Sequence, residues 1–158
     1  MKKKNKWLKR SILLIIVIVA SSIIILASYV LQYNKQLMTY QKSLTNLPEV
    51  NQVLEISEYS GTESYYVAKV VLTTNQEYYY FIKDNIVEYS YPVDELITAN
   101  QAAQEALKTI GEGTVTHYYL GIYEQNPVYE VSISSINGEE YVIVDAKNGE
   151  VLLQFVVN

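Results

Sequence analysis

11-SILLIIVIVASSIIILASYVLQY-33 is the stretch from which the rest of the chain is read. Its 23 residues hold fourteen Ile, Leu or Val and no Asp, Glu, Lys, Arg or His, and the uncharged run continues through Asn34. At a helical rise of about 1.5 Å per residue the stretch reaches about 35 Å, against a hydrocarbon core of about 30 Å. The aliphatic side chains, each worth roughly −0.3 to −0.6 kcal/mol on the insertion scale, outweigh its serines. A transmembrane helix over 11–33 is therefore expected. Ala20-Ser21-Ser22 has the small residues of a signal-peptidase site. Apolar residues run on to Leu26, however, past the roughly 7–15 residues of a signal h-region, so the reading is an uncleaved signal anchor.

Charge divides around this span. Residues 1–10 carry Lys2, Lys3, Lys4, Lys6, Lys9 and Arg10, half of the twelve basic residues. The other six share the rest of the chain with all 17 acidic residues, a net of −11. A basic flank before the span and an acidic body after it predict a cytoplasmic basic tail and an extracytoplasmic body. Attraction to anionic lipid accounts for the basic tail. An acidic body excludes nucleic acid as a partner, since that needs a positive surface. The chain has no cysteine. That rules out disulfides, thiol catalysis and a lipidated cysteine, and suits a bacterial cell surface.

The helix is expected to continue beyond the span. Tyr33, Leu37, Tyr40 and Leu44 fall on one helical stripe, and Thr45-Asn46-Leu47-Pro48 ends it. Span and stripe would form one rigid helix of about 34 residues, roughly 50 Å long, whose outer half covers a first sheet. Tyr29 and Tyr33 fall where aromatic residues anchor helices at the membrane–water interface. Strand patterns follow at Val50–Ile56, Tyr66–Leu72, Glu77–Lys83 and Ile86–Tyr89, with turns at Asn75-Gln76 and Asp84-Asn85. After Ser90–Asp94 the pattern recurs. Thr98 and Gln101 make a capping box, an alanine-rich apolar stripe runs from Ala99 to Ile110, and Gly111 stops it. Strands then read over Val115–Tyr123, Val128–Ile136, Tyr141–Asp145 and Val151–Val157, with Asn137-Gly138 and Asn148-Gly149 as hairpin signals. The fold class expected is α+β: a transmembrane helix, then two small lobes, each a helix on an antiparallel sheet. The expected division is 1–10 tail, 11–33 span, 34–92 first lobe and 93–158 second lobe. Lobes of this size are marginal alone and should pack on each other.

The second lobe, ITANQAAQEALK, then VYEVSI, then EEYVIVDAKNGEVL, resembles a PepSY domain. The residues that carry the resemblance are Ala102, Ala106, Tyr129, Glu130, Val131, Tyr141, Asp145 and Gly149. The first lobe, with Val53, Gly61, Tyr65-Tyr66-Val67 and Tyr78–Phe81, is similar to the first domain of the TseB-like (YpmB-like) cell wall elongation regulators of Gram-positive bacteria. Anchor, first lobe and PepSY-like lobe occur in that family's order. The resemblance implies two cystatin-like lobes outside the cell. It also implies a non-enzymatic role, contacting a penicillin-binding transpeptidase and modulating peptidoglycan synthesis, with no catalytic residues to carry over. Two other functions stay open: an inhibitor or chaperone of an extracytoplasmic peptidase, and a peptidoglycan-binding module.

Residue chemistry points the same way. His117 is the single histidine and reads as a half-buried strand residue; alone, with no Cys, it cannot build a His-based metal site. No Gly-x-Ser-x-Gly occurs, and a serine nucleophile would need a base within reach. Glu139 and Glu140 are strand neighbours and point to opposite faces, so they do not converge for acid–base work. Asp145 is expected to brace a hairpin in which Gly149 takes a positive φ; the spacing is not that of a calcium loop. Neither a cofactor nor a metal is expected. The 16 tyrosines are the unusual feature. Tyrosine packs well in sheets and tolerates a wet end. Alternation predicts Tyr66 inside and Tyr65 outside, with Tyr65, Tyr79 and Tyr119 as an aromatic contact surface for a protein or a glycan strand.

Overall fold

The computed structural model describes residues 3–61 and 63–157. Met1, Lys2, Thr62 and Asn158 lie outside it, as do the side chains of 3–6, 8 and 9, so the expected basic tail falls largely outside the described residues. The chain divides into two compact units, Met1–Tyr40 and Gln41–Asn158.

The first unit is helical. Helix α1 runs unbroken over Lys3–Thr45, 43 residues, and its last turn enters the second unit. From Ile12 to Leu31 its large apolar side chains are exposed. Among the described residues it is the one helix long and apolar enough to cross a membrane. Its serines return their hydroxyls to the helix's own carbonyls, Ser22 Oγ to Ile18 O at 2.9 Å and Ser28 Oγ to Ile24 O at 2.8 Å. Each of these hydroxyls is thus satisfied within the helix, as a hydrocarbon environment demands.

The second unit holds two four-stranded antiparallel sheets. Strands β1 (Val50–Ser60), β2 (Ser64–Leu72), β3 (Glu77–Lys83) and β4 (Ile86–Pro92) form a meander in the order β1-β2-β3-β4. A 3-10 turn, Val93–Glu95, leads to helix α2 (Ala99–Ile110). Strands β5 (Thr114–Tyr123), β6 (Asn126–Ser135), β7 (Gly138–Asp145) and β8 (Val151–Val157) form the second meander, β5-β6-β7-β8. The fold is α+β, an apolar N-terminal helix followed by two antiparallel sheets with a helix packed on them.

Local chemistry explains these elements. At α2, Thr98 Oγ1 accepts from Gln101 N at 3.3 Å, and Gln101 Oε1 accepts from Thr98 N at 2.8 Å, a reciprocal capping box. Gly111, at φ +89°, ends the helix and donates its N–H to Leu107 O. The narrow alanine stripe lets α2 lie close on the second sheet. Ala102 and Ala106 are fully buried against Tyr129, Val131, Ile133, Val142 and Val144. In the β7–β8 turn Asp145 Oδ1 accepts from Lys147 N at 2.7 Å and Asn148 N at 3.3 Å, and Gly149 sits at φ +79°.

The first sheet departs from expectation. Antiparallel sheets commonly keep one face wet; this one buries both. On one face Ala68, Val70, Tyr80 and Ile82 are buried. On the other, Tyr59, Tyr65, Val67 and Phe81 form a core with Ile122 of the second sheet, joined by Leu120. So the face expected to be open is filled by β5. Of the helical stripe expected to cover this sheet, only Leu44 belongs to the second unit, where it is buried.

Candidate binding cleft

The pairing of sheets leaves a cleft of about 510 Å³ between them. Register builds its walls. In the first sheet Glu55 lies opposite Lys69, and Lys69 opposite Tyr79, so the three form a row across β1, β2 and β3. All three line the cleft, with Glu58 near them. The 3-10 turn and the link to α2 add Val93, Leu96 and Ile97 to the lining. The opposite wall is β5, through Tyr118, Tyr119 and Leu120. The first lobe covers β5 at Leu120 and Ile122 and leaves Tyr118 and Tyr119 open, 49% and 45% exposed. Tyr118 and Tyr119 are neighbours on β5, an edge strand, and both contribute atoms to the cleft lining.

Electrostatically the cleft is acidic and aromatic. Lys69 Nζ is committed to Glu77 at 2.7 Å, and this hydrogen bond raises the lysine pKa. Burial raises the Tyr79 pKa, so its hydroxyl stays protonated and can donate. Burial does the same to Tyr129 on the cleft floor. The arrangement offers phenol donors, carboxylate acceptors and open aromatic faces. Such a surface suits recognition of another chain or a sugar. His117, expected to be half-buried, is exposed and stacks on Tyr119 at 6.2 Å with the rings 4° from parallel. No cluster of three or more His, Cys, Asp or Glu that could hold a metal occurs among the described residues.

The structure redistributes the three tyrosines singled out from sequence. Tyr65 is a correction: it is 2% exposed and lies in the core between the lobes, while Tyr66 is half-buried. The reason is the second lobe seated on its face. The Tyr65 hydroxyl reaches Glu63 at 2.8 Å and Glu88 at 3.1 Å, and its one proton serves one carboxylate at a time. Lys83 Nζ bonds the same Glu63 oxygen at 2.7 Å and lies 5.6 Å from the Tyr65 ring centre. Both bonds hold the Glu63 carboxyl below its ordinary pKa, the lysine bond first. Tyr79 is half-buried and packs on the cores of both lobes. Tyr119 stands open in the cleft. Tyr29 and Tyr33 lie on α1, outside this unit, with Tyr29 exposed. Asp145 and Gly149 lie at the β7–β8 turn, away from the cleft lining.

Three residues that join the two lobes were not singled out from sequence as partners. Tyr59 lays its ring over Gly121, where a Cβ would overlap it. Its hydroxyl donates to Glu130 Oε2 at 3.4 Å. Burial raises the Glu130 pKa, and burial with the nearby carboxylate pushes Tyr59 up to about 12. No local pattern links residues 71 positions apart.

Residues 96–155 match the PepSY family model, described as "Peptidase propeptide and YPEB domain". No curated protein matches the chain. Among solved structures, the YpmB protein from Bacillus subtilis is similar at 20% identity with a TM-score of 0.62, covering 69% of this chain and 88% of that one. A candidate lipoprotein from Clostridium difficile 630 is more distant, at 19% identity and a TM-score of 0.41, covering 78% of this chain and 91% of that one. The first of these likenesses is one of fold.

Proposed function

We propose that this chain is a single-pass, membrane-anchored extracytoplasmic protein that binds and regulates a penicillin-binding transpeptidase during cell elongation, without catalysing a reaction itself. The apolar helix is the anchor, the basic residues before it stay in the cytoplasm, and Tyr29 and Tyr33 mark its outer interface. The lobes at 34–92 and 93–158 stand outside. The observation that carries the binding reading is the cleft, in which Tyr118 and Tyr119 stand exposed against an acidic wall. The choice of partner rests on the order of parts, which resembles the TseB-like regulators.

The test is direct. A photo-crosslinker at Tyr119 in living cells should capture the transpeptidase, and purified body and transpeptidase ectodomain should associate. Tyr119→Ala should weaken that association about tenfold or more, as interface tyrosines do, without moving the thermal midpoint of the body. No association of the purified pair, with normal shape in cells lacking the protein, would sink the reading.

A second reading draws on the PepSY match over 96–155, whose family description names peptidase propeptides. The body would then inhibit or chaperone an extracytoplasmic peptidase, and adding it to such a protease should slow turnover. A peptidoglycan module using the cleft tyrosines is separated from both by pull-down on purified cell wall.

A further inference from the structure

Two open meanders end on four edge strands, and three of these are defended. β1 carries Glu55 and Glu58 and two register irregularities. β4 carries Glu88, ends at Pro92 and has one irregularity. β5 is covered by the first lobe at Leu120 and Ile122. Charge, proline, bulges and cover are the devices that keep strand edges from pairing with other chains. β8, VLLQFVV, has no charge, proline or glycine, and it pairs with β7 in unbroken register from Leu153 to Val157. It is the last strand of its sheet, bonded on one side to β7. Leu152, Leu153, Phe155, Val156 and Val157 are 41–51% exposed, and strand alternation places them on both faces.

We propose that β8 is a pairing edge for β8 of a second copy of this chain, antiparallel, about a two-fold axis through Gln154. The strand is complementary to its own reverse. Folded back about Gln154, it sets Leu153 opposite Phe155, Leu152 opposite Val156, and Val151 opposite Val157. The two Gln154 amides then face each other; each donates one N–H to Glu140 Oε2 at 3.0 Å and keeps its second N–H and its Oε1 for the partner's amide. Shifting the register by one pair sets Gln154 against an apolar side chain and loses this match. Charge selects the same seam. The chain beyond the span carries a net −11, so most other approaches of two copies set acid against acid, while β8 is neutral. The two meanders would join into one eight-stranded sheet across the axis, an isologous contact. A seven-residue strand contact falls below the roughly 1,200 Å² of a stable interface. Pairing is therefore weak in dilute solution and gains from confinement of both copies to one membrane, a clause that rests on the anchored reading. It does not depend on what the cleft binds.

The absence of cysteine makes the test clean. Directly opposed residues of antiparallel strands have Cα atoms about 4.5 or 5.5 Å apart, both within disulfide reach. The full chain with Gln154→Cys, in lipid vesicles under mild oxidant, should form disulfide dimers on the order of tenfold faster than Ile86→Cys at equal density. Ile86 is 65% exposed on the first sheet and serves as the collision control. Leu153→Cys and Phe155→Cys should link to each other when mixed and only at the control rate alone. Adding Val156→Lys to Gln154→Cys should return the rate to the control, with an unchanged near-UV spectrum showing a kept fold. Equal rates at 154 and 86 would overturn the proposal. So would Leu153→Cys linking to itself as fast as to Phe155→Cys.

Discussion

Tyr59, Gly121 and Glu130 tie the lobes together at the scale of single residues. The Tyr59 ring occupies the space that a side chain at 121 would need. Gly121→Ala should therefore destabilise the body by about 1–3 kcal/mol, the range for overpacking a filled site. In a Tyr59→Ala background the same change should cost little, because the ring it collides with is gone; denaturant melts of the two single variants and the double variant measure the coupling. Glu130 gives a pH signature. Burial raises its folded-state pKa above the ordinary 4.5. A raised folded value means that the fold holds the proton more tightly. That contribution is complete below the unfolded value and is lost as pH rises through the folded one. At neutral pH the ionised carboxylate is thus a net cost. Glu130→Gln keeps an oxygen to accept from Tyr59 and removes the charge. Its thermal midpoint should exceed that of the parent at pH 7, and the gap should close below pH 4.5; a variant less stable at pH 7 would refute this.

Elements obey local rules, and these are legible in the sequence. The capping box at Thr98 and Gln101, the alanine stripe and the Gly111 stop all stand where the pattern placed them. Thr98→Ala should cost about 1 kcal/mol, read as a shift in denaturant midpoint with an unchanged slope. Strand starts and ends were less legible. β1 extends to Ser60, well past Ile56, because its partner β2 starts early, at Ser64, and Tyr59 pairs with Tyr65. The turn at Glu124-Gln125 carries no glycine, yet both residues adopt positive φ, 47° and 67°. The tight β5–β6 connection forces that conformation on residues that rarely choose it.

At the scale of the molecule, the two sheets share a core. Tyr59, Tyr65, Val67 and Phe81 from the first lobe enclose Ile122 from the second, and Tyr79 touches both cores. Neither lobe can lose its packing without uncovering the other. The body from Gln41 onward should therefore unfold in one cooperative transition, with coincident far-UV and tyrosine near-UV curves. Two separated transitions would mean that the lobes are independent. The cleft is a by-product of the same docking, since the first lobe reaches β5 at Leu120 and stops short of Tyr119.

Periodicity, caps and turn residues are local, so the sequence by itself determined the long apolar helix, the order of strands and the second helix. It also determined which side chains share a strand face, because alternation needs no partner. Which faces are covered was decided only in the tertiary structure. Tyr65 and Tyr119 are both strand tyrosines with a second tyrosine beside them, and nothing near either predicts that one is sealed and the other open. The difference comes from a lobe contact whose hydrogen bond, Tyr59 to Glu130, spans 71 residues. Burial is a property of what lies opposite a face, and that is fixed by docking, not by the pattern along the strand.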